Sequence, residues 1–301
     1  MKVFVTGGTG FVGREVVRQL LAAGHEPVCL VRPGSEGKLP EGAKQSIRPG
    51  DVTDSASLDG ALQGCHAVVH LVGIIREISE QGVTFDRLHR QATANMVAAA
   101  EAQQVLRFVH MSSNGACENA DTEYYRSKWQ AEQVLRGSSL SWTIFRPSII
   151  FGSEDDFCNR LAELIRRTPI VPVVGNGRYR IAPVAVEDVA AGFVAALRTP
   201  ASEGEVYSVC GRESFTFNEL LDQIGRALGR PRVRKSHHPL FLVKPLVSCL
   251  QNLPGFPLTS DQLTMLIAGN VCDPQSWIEE FGIEPQPFAE AISRQFQKVL
   301  H

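Results

Sequence analysis

The chain has 301 residues, with 30 Lys plus Arg against 32 Asp plus Glu and a formal net charge of -2. That length sustains a full hydrophobic core, as two domains or as one large α/β unit. The near balance of charge leaves no basic footprint for nucleic acid, and no apolar run reaches the roughly 20 residues that cross a bilayer.

The apolar run Val3 to Thr6 meets a turn carrying Gly7, Gly10 and Gly13, and an amphipathic run to Ala23 follows before Gly24. Strand, glycine turn and helix in that order suit a dinucleotide pyrophosphate. One glycine turns the chain, one admits backbone N–H groups to the phosphates, and one lets the helix pack closely on the strand. The helix N-terminus adds partial positive charge.

Further strands are expected over Glu26–Val31, Gln45–Arg48, Ala67–Val72, Arg107–Met111 and Trp142–Arg146. Helices are expected over Val12–Ala23, Ser55–Leu62, Phe85–Ala102, Glu123–Arg136, Asp156–Arg167 and Val186–Leu197. Strands alternating with helices of this length predict an α/β fold, a Rossmann-type doubly wound parallel sheet. Several strands are continuous apolar runs, as a sheet buried on both faces requires. After Pro147 the pattern turns rich in Pro and Gly. Residues 1–147 plus 182–199 are therefore expected to form the nucleotide-binding domain. Residues 148–181 plus 200–301 are expected to form a smaller, partly interleaved C-terminal lobe.

Seven cysteines (Cys29, Cys65, Cys117, Cys158, Cys210, Cys249, Cys272) are scattered singly. None has metal-pair spacing. An odd, scattered set fits a reducing compartment, with the thiols acting as small buried hydrophobes. No charged leader precedes the first strand, so no signal peptide is expected and the cytoplasm is the expected location.

Tyr124 and Lys128 lie four apart on a predicted helix and share its face. A tyrosine that moves protons near neutral pH needs its phenolate favoured, and a nearby ammonium does that. The same lysine can hydrogen-bond a nicotinamide ribose. The pair follows a strand that ends in Ser112-Ser113.

These segments together resemble the extended or atypical short-chain dehydrogenases/reductases. The resemblance is carried by Thr6–Gly13, Gly50–Asp54, His70–Gly73, Tyr124 with Lys128, and Arg146–Gly152. Tyr125–Glu132, Pro183–Ala190 and Leu258–Leu263 are similar to the group around the NADPH-binding accessory subunit of respiratory complex I and its bacterial relatives. The resemblance implies that Gly7, Thr9, Gly10, Phe11, Val12 and Gly13 line a pyrophosphate. It implies that Asp51 and Val52 meet the adenine, and that Leu71, Val72 and Gly73 flank a ribose. Tyr124 and Lys128 would face the nicotinamide, with Pro147 and Ile150 beyond. Ser113, with Ser112 second, would hold a substrate carbonyl. His89 stands where the family carries an asparagine of its proton relay, a departure that counts against catalysis.

The end of the second strand bears on the choice of nucleotide. A carboxylate there would accept from a ribose 2′-hydroxyl. Here Arg32 offers a planar cationic fork suited to a 2′-phosphate, and Ser35 adds a hydroxyl. NADP(H) is therefore expected over NAD(H). Arg226 to Lys235 carry a basic run, and an apolar stretch from Leu240 to Leu250 follows. That pairing suits a peripheral contact with an anionic membrane or a respiratory complex, or simply a helix packed into the smaller lobe. Asn176, Arg178 and Arg180 are candidate substrate contacts. Two functions follow: an oxidoreductase or epimerase for a small carbonyl, sugar-like or quinone-linked substrate, or a subunit or assembly factor of a membrane respiratory complex that holds NADPH without turning it over.

Overall fold

A computed structural model describes residues 1–251, 253, 256 and 258–297. They group into two units, Met1–Pro147 with Val186–Val209 and Gln275–Glu284, and Ser148–Ala185 with Cys210–Pro274 and Pro285 onward.

The first unit is built on strands β1 (Lys2–Thr6), β2 (Glu26–Val31), β3 (Ile47–Pro49), β4 (Ala67–His70), β5 (Arg107–Met111) and β6 (Ser141–Pro147). Its main helices are α1 (Phe11–Ala22), α2 (Ala92–Ala102) and α3 (Glu123–Arg136). A seventh strand, Glu205–Val209, lies on the far side of β6. The sheet order from that edge is Glu205–Val209, β6, β5, β4, β1, β2, β3, and every pairing is parallel. This is the doubly wound order, and its switch point lies between β1 and β4. Both faces are covered, so the strands can be apolar throughout. Phe4, Val68, Phe108 and Ile144 pack with Leu62, Met96 and Leu135 in one core cluster. α1 packs against the helix Val186–Ala196.

Three departures from the expected elements have local causes. The helix expected over Ser55–Leu62 is a single turn, Ser55–Leu58, capped by Asp54 and followed by Gly60 at φ +67°. The helix expected over Phe85–Ala102 opens with a π-helical stretch, Asp86–Gln91, before α2. From the first turn of α2 the Thr93 hydroxyl donates back to the His89 carbonyl at 2.7 Å. Such bulges gather at functional sites.

The third departure concerns the domain boundary. Residues 200–209 and 275–284, expected in the smaller lobe, group with the large sheet, and residues 182–185, expected in the nucleotide-binding domain, group with the second unit. The strand Glu205–Val209 is its edge. The helix Gln275–Phe281 buries Trp277 completely, and Phe281 packs on Phe145 and Tyr207 with ring centres 5.3 and 4.8 Å away.

The second unit holds three two-stranded pairs: Ile150–Phe151 with Val184–Ala185, Val171–Val174 with Lys235–His238, and Arg180–Ile181 with Phe215–Thr216. Its core joins Phe151, Ile165, Val173, Leu220, Ile224 and Phe296. Thr216 and Glu219 form a capping box at the start of the helix Phe217–Ala227. Cys210 and Cys272, 62 residues apart, form a disulfide, which corrects the expectation of seven free thiols. Cys117 and Cys249 are exposed and Cys65 is half-buried, so only Cys29 and Cys158 are free and buried as expected.

Candidate functional site

The glycine turn sits at the C-terminal end of β1. Gly7 has φ +75°, and a Cβ there would lie 3.0 Å from the Leu71 carbonyl carbon as the chain leaves β4. A Cβ on Gly13 would fall 2.0 Å from the Gly7 oxygen, so α1 can seat on the loop only with glycine there. The Gly10 N–H donates to the Gly7 oxygen at 3.0 Å. Gly10 caps α1 without a side chain, and the first turn holds no acid. The leading N–H groups of α1 therefore lack intrahelical acceptors, as an anion site requires, at a turn that carries Thr9, Phe11 and Val12.

The neighbouring strand ends supply the rest of the cleft. Arg32 follows β2 and is exposed, and its oxygen accepts from the Ser35 N–H at 3.0 Å. Arg32 has no side-chain partner among the described residues, and the Ser35 hydroxyl caps nothing. Asp51 is turned onto its own loop, where Oδ1 accepts from both the N–H and the hydroxyl of Thr53 at 2.9 Å. Val52 is buried, and its oxygen accepts from Asn95. Leu71 donates to the Thr6 oxygen at 3.1 Å, Val72 is half-buried and Gly73 is exposed.

Lys128 is buried on α3, and its Nζ donates to the Met111 oxygen at 3.2 Å. A Cβ on Gly73 would lie 2.7 Å from that Nζ. Burial lowers Lys128 to about 8, with the Glu132 carboxylate pulling the other way. The Tyr124 hydroxyl is hydrogen-bonded to Ser113. Burial raises the Tyr124 pKa and the Ser113 bond opposes the rise. The expected lowering of Tyr124 by Lys128 is not found: burial of the phenol sets the direction, and the opposing pull comes from Ser113.

The two serines have separate tasks. The Ser112 hydroxyl donates to Glu132 Oε1 at 2.5 Å, and Arg146 grips the same carboxylate through Nε at 2.8 Å and Nη2 at 2.6 Å. Glu132 is fully buried. Ser112 is thus committed to the scaffold, which leaves Ser113 as the hydroxyl beside Tyr124. Pro147 ends β6 and accepts from the Asn114 N–H at 2.9 Å. Ile150, Asn176, Arg178 and Arg180 belong to the second unit, where Arg180 is held by Ser214.

His89 is locked by its partners. Its Nε2 accepts from the Ile74 N–H at 3.0 Å, so the ring proton is assigned to Nδ1. Nδ1 then donates to Ser127 Oγ at 2.8 Å, and Ser127 donates to the Tyr124 carbonyl at 2.8 Å. The imidazole edge meets the Tyr124 ring with centres 5.6 Å apart. His89 is therefore a neutral brace for the Tyr124 turn. Burial first, then the Lys128 charge, lowers it to about 2.

Sequence reasoning missed Glu132, Arg146 and a row of buried histidines as parts of this site. Thr6, His70 and His110 occupy one register across β1, β4 and β5. Thr6 Oγ1 and His70 Nδ1 are 2.6 Å apart, and the two imidazoles stack with centres 5.4 Å apart. The signal was a histidine at or next to the end of each of two apolar strands.

The NAD(P)H-binding family model matches residues 7–200. The chain belongs to the NAD(P)H-binding family. It is 32% identical over 225 residues to the NADH dehydrogenase [ubiquinone] 1 alpha subcomplex subunit 9 of Dictyostelium discoideum, covering 73% of this chain and 62% of that one. The chain thus spans less than two thirds of that relative. It is 31% identical over 257 residues to the ceramide reductase of Caulobacter vibrioides, covering 85% of this chain and 80% of that one. The UDP-glucose 4-epimerase of Thermotoga maritima shares the fold at a TM-score of 0.76, with 19% identity and full coverage of both chains. The uncapped α1 terminus and the glycine cradle fit the pyrophosphate of the dinucleotide that this family binds.

Proposed function

We propose that the chain is an NADP(H)-dependent reductase for a small carbonyl substrate. The observation that carries this reading is the Tyr124–Ser113 hydroxyl pair, with the buried ammonium of Lys128 one turn further along α3. When bound, the nicotinamide supplies the hydride. Gly7, Gly10 and Gly13 with Thr9, Phe11 and Val12 hold the pyrophosphate, and Asp51 and Val52 border the adenine. Leu71, Val72, Gly73 and Lys128 border the nicotinamide ribose, with Pro147 beyond. Ser113 orients the carbonyl oxygen, and Tyr124 gives that oxygen its phenolic proton. The raised pKa of Tyr124 keeps the phenol protonated and ready to donate at neutral pH.

Arg32 and Ser35 favour NADP(H), because an exposed guanidinium with no side-chain partner among the described residues suits a 2′-phosphate, and the strand end itself carries Arg32 in place of a carboxylate. Calorimetric titration of NADPH and NADH tests this. NADPH should bind at least about tenfold more tightly, and Arg32→Glu should erase the difference, since a charge-assisted contact contributes about 1.5–3 kcal/mol. Equal affinities in the unaltered protein would overturn the preference.

A second reading is a nucleotide-holding subunit of a respiratory complex. His89 at the relay position and the similarity to the Dictyostelium subunit support it. NADPH that co-purifies and survives a panel of ketones and quinones unoxidised would favour that reading.

A further inference from the structure

We infer that the helix Leu240–Leu250 is a docking face for an anionic membrane surface, on which it lies flat. The inference is independent of the reading of the nucleotide site. The helix is apolar on two faces. Leu240, Val243, Val247 and Leu250 form the inner stripe, of which Val247 is fully buried. Phe241, Leu242, Pro245 and Leu246 form an outer stripe that stays in water, with Phe241 73%, Leu242 59% and Leu246 56% exposed. A soluble helix presents polar residues on its outer face, so a second apolar stripe calls for a cover. Eleven residues make a rod of about 16 Å, too short to span a bilayer and suited to lying in the interface.

The charge that flanks the helix in sequence identifies the cover. Residues 223–260 carry Arg226, Arg230, Arg232, Arg234, Lys235 and Lys244 and not one Asp or Glu, in a chain whose net charge is -2. Lys235 is paired with Asp222 at 2.6 Å, and Arg230 is spent on backbone oxygens of Arg166 and Thr168. Arg232, Arg234 and Lys244 are exposed and have no side-chain partner among the described residues. Lys244 rises from the apolar helix itself and can lift its ammonium to a phosphate layer. At the first turn, a groove lined by Asn176, Arg178, Asn218, His237, Pro239 and Leu240 joins cationic and amide groups to the apolar stripe, as a lipid headgroup above its chains requires. A protein partner would need only the apolar stripe. The basic run that leads into the helix in sequence, with Lys244 on the helix and Arg178 at its first turn, points to anionic lipid.

Vesicle co-sedimentation of the full chain tests the inference, with vesicles of phosphatidylcholine alone and of phosphatidylcholine with phosphatidylglycerol. The protein should pellet with the anionic vesicles and be released by high salt. Phe241→Gln/Leu242→Gln/Leu246→Gln should weaken pelleting by at least about tenfold. Arg232→Gln/Arg234→Gln/Lys244→Gln should weaken it roughly fivefold for each charge removed. Both variants should keep the unaltered Tm and NADPH affinity, which separates lost docking from lost folding. Pelleting that ignores lipid charge, or no pelleting at all, would overturn the inference. So would a dimer in solution that the apolar triple variant dissociates, because the cover would then be a second copy of the chain.

Discussion

Acid should unfold this protein earlier than its carboxylates alone would allow. His70 and His89 are lowered by burial to about 3 and about 2, and His110 is held well below its ordinary value. Each is near 6.5 in the unfolded chain. As pH falls below 6.5 the unfolded chain takes up a proton at each position and the folded protein takes up none, so folded stability drops. One pH unit below 6.5 the loss is about 1.4 kcal/mol per histidine, or about 4 kcal/mol for the three. Domain stabilities are only about 5–15 kcal/mol, so this is a large share. His25, also lowered by burial, adds to the same slope. Asp155, raised by burial, works against it. Lys128 is charged in both states throughout this window; its contribution is a gain of stability as pH rises from about 8 towards 10.5. Urea unfolding at pH 7.5, 6.5 and 5.5, in steps of about one unit, reads the slope directly. His110→Gln should lower that slope by about one proton, or about 1.4 kcal/mol per pH unit. A slope of one proton or less, or one that His110→Gln leaves unchanged, would refute the reasoning.

Two substitutions probe the site from different sides. Gly73→Ala would set a Cβ 2.7 Å from Lys128 Nζ and force the ammonium off the Met111 oxygen. Nucleotide affinity measured by calorimetry should fall about tenfold to a hundredfold, the worth of one charged hydrogen bond, while Tm changes little. Arg146→Leu would strip the bidentate partner from Glu132, which is fully buried. It should cost about 3–5 kcal/mol in urea unfolding, and adding Glu132→Leu should recover much of that.

The parts of the fold that short-range patterns encode were legible in the sequence. The glycine spacing after β1 reports a turn and a close helix seat, and both follow from steric demands at Gly7 and Gly13. The four-residue spacing of Tyr124 and Lys128 places both on α3. What long-range packing decides was not legible. The return of residues 275–284 to the large sheet depends on Trp277 and Phe281 finding an aromatic cluster far away in sequence. The Cys210–Cys272 pair depends on proximity that spacing does not encode. The pKa of Tyr124 moved against expectation because adjacency to Lys128 can be read from spacing, whereas the depth of burial cannot. Ser112 and Ser113 are neighbours in sequence, yet one faces Glu132 and the other Tyr124 because successive residues of an extended chain point to opposite sides.

The most direct test of the central claim is NADPH consumption by the purified protein and by Tyr124→Phe, across a panel of ketones and quinones. The unaltered protein should oxidise NADPH with at least one of them. Tyr124→Phe should lose about a hundredfold to ten-thousandfold in turnover while still binding NADPH, since only the proton donor is removed. Turnover that Tyr124→Phe leaves intact would contradict the account.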